Sequence, residues 1–311
     1  MEILEVTSLN YSEYFNKPTH VFNSAPFIEI NSSKCARVFY LLFKDTKVRL
    51  GIVFGLRDQL LVSPFSAPFG GFESSSEAIK LQQIDAALAS LITWASVKEV
   101  LGIRIVQPPL FYQPNFNAKL INCYFRAGFD VTSFDLNYHF STAKMDENYL
   151  NTIWYNARKN YNRAVKSDLT FEKIANKNGK QAYDVIAQNR SERGFPLRLT
   201  WEQIAETISV VKADFFVVKK DQNAIAAAMI FYVSTTIVQV VYWGDLPQFL
   251  EFKTMNFLSF NVFSYYKQQG ISIIDIGPST DKSIPNFGLC EFKESIGCDL
   301  SIKNEYFKKL A

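Results

Sequence analysis

Histidine is nearly absent: His20 and His139 are the only two in 311 residues. That leaves no room for a histidine-rich metal site and argues against a histidine relay, so no metal is expected and His139 reads as a packed or surface residue. Cysteine is scarce too. Cys35, Cys123, Cys290 and Cys298 form no C-x-x-C pair, and a chain of this length needs no disulfide staple, so reduced thiols are expected. No G-x-G-x-x-G follows a strand-like run and no G-x-x-x-x-G-K-S/T occurs, which removes dinucleotide and phosphate-loop nucleotide binding as leading ideas. Lysine and arginine total 33 against 30 acidic residues, too even a balance for net charge to advertise nucleic acid or an anionic membrane. The most apolar region, 224–243, is broken by Ser234, Thr235, Thr236 and Gln239; its β-branched content reads as two strands, not a membrane span. The opening Met1-Glu-Ile-Leu-Glu-Val6 lacks the basic and apolar regions of a signal peptide, so a cytoplasmic chain is expected.

What is present is a regular alternation of strands and helices. Residues 1–35 are read as irregular, with Pro18 and Pro26 as breaks. Strands are expected at 37–43, 47–55 and near Leu60, followed by a turn-rich loop, Ser63-Pro-Phe-Ser-Ala-Pro-Phe-Gly-Gly71. Ser74 and Glu77 have the spacing of a capping box, and Leu81, Ile84, Leu88, Leu91 and Ala95 recur at helical spacing. A strand at 102–106, a helix at 116–126 stopped by Gly128, and a strand at 130–140 complete the order β-β-β-α-β-α-β.

The second half repeats this order. Phe39-Tyr-Leu-Leu-Phe-Lys-Asp45 matches Phe215-Phe-Val-Val-Lys-Lys-Asp221, Gly102-Ile-Arg-Ile-Val106 matches Gly270-Ile-Ser-Ile-Ile274, and Gly128-Phe-Asp-Val131 matches Gly297-Cys-Asp-Leu300, at offsets of 176, 168 and 169 residues. Three ordered matches favour a duplicated domain over coincidence. The copies are expected at 1–144 and 145–311, the second beginning with a helical connector at 145–212. In that connector Asp146 is expected to cap one helix with Leu150, Ile153, Trp154, Ala157, Tyr161 and Ala164 as its apolar stripe and Lys159, Arg163 and Lys166 on another face. Helices are also expected at 180–193 and 200–211, separated by the basic turn Arg190-Ser-Glu-Arg-Gly-Phe-Pro196.

In the second copy a strand at 236–243 feeds a helix at 254–269, a strand at 271–276, Gly277-Pro278 and a helical segment at 286–293 closed by Gly297. Ligands in such α/β units usually sit at strand ends, so the active site is placed there. Together with Asn156-Ala-Arg-Lys-Asn-Tyr-Asn-Arg-Ala-Val-Lys166, Tyr242-Trp-Gly244, Ile274-Asp-Ile-Gly277, and Gly288-Leu-Cys-Glu-Phe-Lys293 followed by Ile296-Gly297, this order resembles the FemAB/FemX aminoacyltransferases and their acyltransferase relatives. The implied fold class is α/β: two tandem GNAT-like mixed-sheet domains joined by the helical connector. The resemblance covers nearly the whole chain and rests on the order of short motifs.

The resemblance implies transfer of an acyl or aminoacyl group to an amine of a cell-envelope precursor or amino sugar, with acyl-CoA or aminoacyl-tRNA as co-substrate and no tightly bound cofactor. It associates the lysine of the Phe-Lys pair, Lys293, with donor binding; an exposed lysine on a short helix is the competing reading. Asp275 and Glu291 are candidate bases or acceptor ligands, although an acid at a strand end equally caps a turn. Tyr242 and Trp243 either stack on an acceptor or fill the interior. Arg158, Lys159 and Arg163 either meet phosphates of a nucleotide-sugar or tRNA or form a solvated helix face, and Arg193 sits in the turn before the second copy's sheet. The loop with Phe69, Gly70 and Gly71 either offers amides to an anion or only turns the chain. Neither copy carries the Q/R-x-x-G-x-G/A loop by which ordinary GNAT enzymes hold coenzyme A; 244–253 has one glycine and two acids. The alternatives are a non-catalytic binding protein that kept the tandem fold, and an RNA-binding module that uses the connector helix.

Overall fold

The computed structural model describes residues 1–76, 78–195 and 197–310. The chain forms two compact units: Met1–Leu136 with Thr280–Ile284 and the segment from Ser301 onward, and Asn137–Ser279 with Pro285–Leu300.

The first unit starts with β1 (Glu2–Val6), α1 (Ser8–Tyr14) and α2 (Ala25–Ile30). These correct the expectation of an irregular start: Pro26 occupies the first turn of α2, where it removes no helix bond, so it opens an element instead of breaking one. There follow β2 (Arg37–Lys44), β3 (Val48–Arg57), β4 (Leu60–Ser63), β5 (Glu73–Ser74), α3 (Leu81–Val97), β6 (Gly102–Val106), α4 (Pro114–Arg126) and β7 (Asp130–Ser141). Helix α3 begins past the expected capping box: Ser74 lies in β5, Glu77 lies outside the described residues, and the Lys80 N–H is capped by Gln83 Oε1 at 3.1 Å. The sheet order is β1-β2-β3-β4-β6-β15, where β15 is the last strand of the chain (Asp299–Lys309). Leu41, Phe43, Leu50, Ile52 and Phe54 on one sheet face pack with Ile84, Leu88 and Leu91 of α3 and Phe116, Leu120 and Tyr124 of α4. On the other face Tyr40, Leu42, Val53 and Val62 pack with Tyr11, Phe15 and Ile28 of α1 and its neighbours. The alternation of side chains along each strand is what serves both layers.

The second unit contains α5 (Tyr149–Thr152), α6 (Tyr155–Val165), β8 (Thr170–Ile174), α7 (Gly179–Glu192), α8 (Trp201–Val210), β9 (Ala213–Lys220), β10 (Asn223–Tyr232), β11 (Ile237–Asp245), α9 (Thr254–Gln268) and β12 (Ile273–Pro278). After two short strands, β13 (Thr280–Asp281) and β14 (Ile284–Pro285), whose residues 280–284 belong to the first unit, comes α10 (Phe287–Ser295). The expected long connector helix is two helices, because Ile153 and Trp154 take extended ψ values of 164° and 144°. Trp154 is consequently half exposed and leaves the apolar stripe, which Ala157 and Ala164 keep. Pro196, in the expected basic turn, lies outside the described residues, and Arg190 belongs to α7.

The sheet order of this unit is β8-β9-β10-β11-β12-β7. Pair by pair it reproduces the first: every neighbour is antiparallel except β4 with β6 and its counterpart β11 with β12. The duplication is therefore present in the hydrogen bonding itself. In each unit the last strand comes from the other half of the sequence: residues 305–309 of β15 pair with β6, and residues 137–141 of β7 pair with β12. Among the described residues no helix is long and apolar enough to cross a membrane.

Candidate functional site

In the second unit the one parallel ladder is short. Ile237, Val238 and Gln239 of β11 pair with Ile273, Ile274 and Asp275 of β12, and there the ladder ends although both strands continue. Beyond it β11 keeps β10 as its partner as far as Asp245, and β12 keeps β7 as far as Pro278. Among the described residues, one edge of β11 over 240–245 is thus left without a strand. Opposite that edge β11 also bulges: Met229 pairs with Tyr242 and Ile230 with Val240, so Val241 is the extra residue. A bulge re-aims backbone groups locally and is common beside active sites. In the first unit the equivalent place is filled by the chain itself, since the Gly70 N–H donates to Val106 O at 2.9 Å and the Gly71 N–H to Ser63 Oγ at 3.0 Å, with Phe69 buried. The amides expected to face an anion there are engaged within the fold.

At the point where the ladder ends lies a buried polar network. The Asp275 carboxylate is fully buried; Oδ1 accepts from Asn137 Nδ2 at 2.8 Å and from the Gly277 N–H at 2.9 Å, and Oδ2 accepts from Gln239 Nε2 at 2.8 Å. A buried polar group is tolerated when it is hydrogen-bonded in this way. Lys293, on α10, is also buried, with 2% of its surface exposed. Its Nζ donates to the carbonyls of Ile276 (3.2 Å), Gly277 (2.8 Å) and Pro278 (3.1 Å), three consecutive residues of β12. Gly277 has φ +76°, a left-handed backbone that side-chain-bearing residues resist. The Nζ stands 5.2 Å from the ring of Tyr138, whose hydroxyl donates to Glu294 Oε1 at 2.8 Å. Burial pushes the Tyr138 phenol well above its usual range.

A second cluster sits where β11 ends. Asp245 is buried; its Oδ2 accepts from Thr254 Oγ1 of α9 at 2.7 Å, and Arg193 Nη2 lies 3.5 Å from its Oδ1. Burial raises the Asp245 carboxyl, and the Thr254 bond and the Arg193 charge oppose that rise. Asn189 of α7 donates to the Asp245 carbonyl and packs on Gly244, where a Cβ would come 2.6 Å from Asn189 Oδ1; only glycine admits this approach. The Arg190 guanidinium lies 5.7 Å from the Tyr242 ring centroid, and Trp243 meets Phe292 of α10 edge to face at 6.1 Å.

A groove of about 460 Å³ runs elsewhere, along α6, and is lined by Tyr155, Arg158, Lys159, Asn162, Arg163, Lys166 and Ser167. It holds four cations and no acid. The chain's formal net charge is +3, so the remainder sums to −1 (3 − 4 = −1). This groove can attract an anion, whereas the buried polar network of Asp275 lies at the β11–β12 opening.

Of the residues singled out in the sequence, Asp275 and Lys293 are brought together at Gly277, and Tyr242 and Trp243 lie on the bulged strand beside them. Glu291 is exposed on α10. Arg158 and Arg163 line the α6 groove, Arg193 faces Asp245, and Phe69, Gly70 and Gly71 belong to the first unit. Asn137, Gln239, Asp245 and Thr254 were not anticipated. Gln239 leaves a trace as a lone amide in an apolar strand, whereas Asn137 leaves none, because strand exchange alone delivers it to Asp275.

No family model matches the chain, and no curated protein matches it in sequence. Solved structures match it in fold. FemX superposes with a TM-score of 0.72 over 100% of this chain and 98% of its own, at 14% identity. L-PGS from Bacillus licheniformis gives 0.61 over 99% and 93%, at 13% identity. A tandem GNAT protein from the clavulanic acid biosynthesis pathway gives 0.56 over 99% and 98%, at 7% identity. The duplicated mixed sheets with their single parallel pair are thus a FemX-like tandem GNAT fold.

Proposed function

We propose that the protein is an acyl- or aminoacyltransferase of the FemX/GNAT type whose reacting centre lies in the second unit, where β11 and β12 part. The observation that carries this reading is the edge of β11 that has lost its strand partner beyond Gln239, next to the Asp275 network and opposite the bulge at Val241. A carbonyl laid on that edge meets backbone N–H groups, and such donors stabilise the negative charge that develops on its oxygen. The acceptor amine attacks the carbonyl carbon, the bond to the carrier breaks, and the carrier leaves with the electron pair while the amine gives up a proton. In this reading Glu291 or Glu294 of α10 receives the proton, and Tyr242 and Trp243 border the acceptor.

The acceptor in this reading is an amine of a cell-envelope precursor or an amino sugar, including a nucleotide-linked one. The donor carrier is coenzyme A or tRNA. The absence of the usual coenzyme A loop and the cationic α6 groove support a carrier with more phosphate than one pyrophosphate. The test is direct: purified protein receives acetyl-CoA, or aminoacylated tRNA, together with amino-sugar nucleotides, and acylated products are sought by mass spectrometry. Loss of product in Glu291→Gln and Glu294→Gln would identify the base. No product with either donor class would refute the reading.

The complete engagement of Asp275 within the fold favours a second reading, a binding protein that kept the fold. It requires ligand affinity without turnover in the unmodified protein.

A further inference from the structure

We propose that Lys293 is a positioning residue: its ammonium fills an oxygen cage and holds β12 bent, so that β11 stays unpaired over 240–245. In an extended strand successive carbonyls point to opposite sides. Those of Ile276, Gly277 and Pro278 nevertheless converge on one atom, within 3.2, 2.8 and 3.1 Å of the Nζ. The left-handed φ of Gly277 makes the convergence possible, and its N–H is turned back onto Asp275. An ammonium carries three donors and no acceptor, so three carbonyls match its capacity. Cages of backbone carbonyls are also how proteins replace the hydration shell of potassium.

The cage has a consequence for the site. Three inward-facing carbonyl dipoles repel one another unless a cation sits among them, and burial denies water to those of Ile276 and Gly277. Without the cation, β12 relieves the repulsion by re-extending. β12 is already in parallel register with β11 through Gln239 and Asp275, so the edge of β11 is the backbone along which it would extend. The opening would close by continuing its own ladder. Lys293 thus acts on the site through the backbone of 276–278, whichever group is transferred.

The test needs no substrate. Amide hydrogen exchange over 240–245 and 276–279 is compared in the native protein, Lys293→Met and Lys293→Ala, the last with methylammonium or with tetramethylammonium at equal ionic strength. The expected result is a gain of protection over 240–245 in both variants, about tenfold in exchange rate for the edge amides that acquire a partner. Methylammonium, small enough for the cage, returns Lys293→Ala to the native pattern, and tetramethylammonium does not. Unchanged or faster exchange over 240–245 in a folded variant overturns the proposal, as does failure of methylammonium to restore the pattern. Should neither variant fold, the native protein decides: slowly exchanging Lys293 ammonium protons coupled to the carbonyl carbons of 276–278 are expected, and rapid exchange without coupling overturns the proposal. Absence of acyl transfer would bear on the proposed function alone.

Discussion

Replacing Asp275 separates what this carboxylate does for the fold from what it does for chemistry. In Asp275→Ala three buried donors, Asn137 Nδ2, Gln239 Nε2 and the Gly277 N–H, lose their acceptor together. A buried donor left unsatisfied costs about 1–3 kcal/mol, so three that share a site and relax together cost on the order of 3–6 kcal/mol. That is a large share of the roughly 5–15 kcal/mol that holds a domain folded. Asp275→Asn differs in kind. Its oxygen still accepts from Asn137 and Gly277, and its new amide donates to Gln239 once that side chain turns its own amide over; the loss is the charge assistance, about 1–2 kcal/mol. Urea titration of both variants, followed by fluorescence, reads the two costs as shifts in midpoint at unchanged slope. The reasoning fails if Asp275→Ala lies within about 1 kcal/mol of the native protein, or if Asp275→Asn is as unstable as Asp275→Ala. Turnover is informative only in Asp275→Asn, where the network persists: retained activity makes Asp275 a framework residue, and lost activity in a folded protein makes it a participant.

Glu73, buried in the first unit, has its carboxyl raised by burial, against bonds from Thr19 and Asn23 that lower it. A raised folded pKa means the native state holds the proton longer than the unfolded chain, so stability falls as pH rises from the ordinary glutamate value through the raised one. Denaturation of native protein and Glu73→Gln across that window should show the native curve declining more steeply than the variant's; parallel curves refute the assignment. Gly244→Ala, which sets a Cβ 2.6 Å from Asn189 Oδ1, should lower stability by about 1–3 kcal/mol through overpacking, readable as a fall in Tm. Lys159→Glu with Arg163→Glu on α6 should elute earlier from heparin at an unchanged Tm, because both side chains are solvated and only the local field changes; unchanged retention would show that the groove does not govern polyanion binding.

The order of strands and helices was legible because each element carries its own period, as in Gly102–Val106 or the helical spacing of Ile84, Leu88 and Leu91. The duplication was legible from three short matches. The start of the chain was not, since Pro26 reads as a breaker until its place in the first turn of α2 is known. The break between α5 and α6 was hidden because Ile153 and Trp154 fit an apolar stripe by spacing, while their extended backbone is set by tertiary contacts such as Trp154 N–H to Ser295 O. In the site, Asp275 and Lys293 stood out as charges near Gly277, but their roles depend on partners far away in sequence. In the sequence Lys293 reads either as a donor-binding lysine or as a surface lysine on a short helix, and only the fold shows it inside a ring of carbonyls.

The traded strands bear on how the protein is made. Val106 must wait for Glu305, its neighbour in the first unit's sheet, 199 residues further along (305 − 106 = 199). At roughly 5–20 residues per second that is a delay on the order of 10–40 s on the ribosome. Throughout it β6 lacks its native neighbour on that side, the kind of unpaired strand edge that recruits other chains. Deleting residues 301–310 would make the delay permanent, so that deletion should injure the unit that is synthesised first.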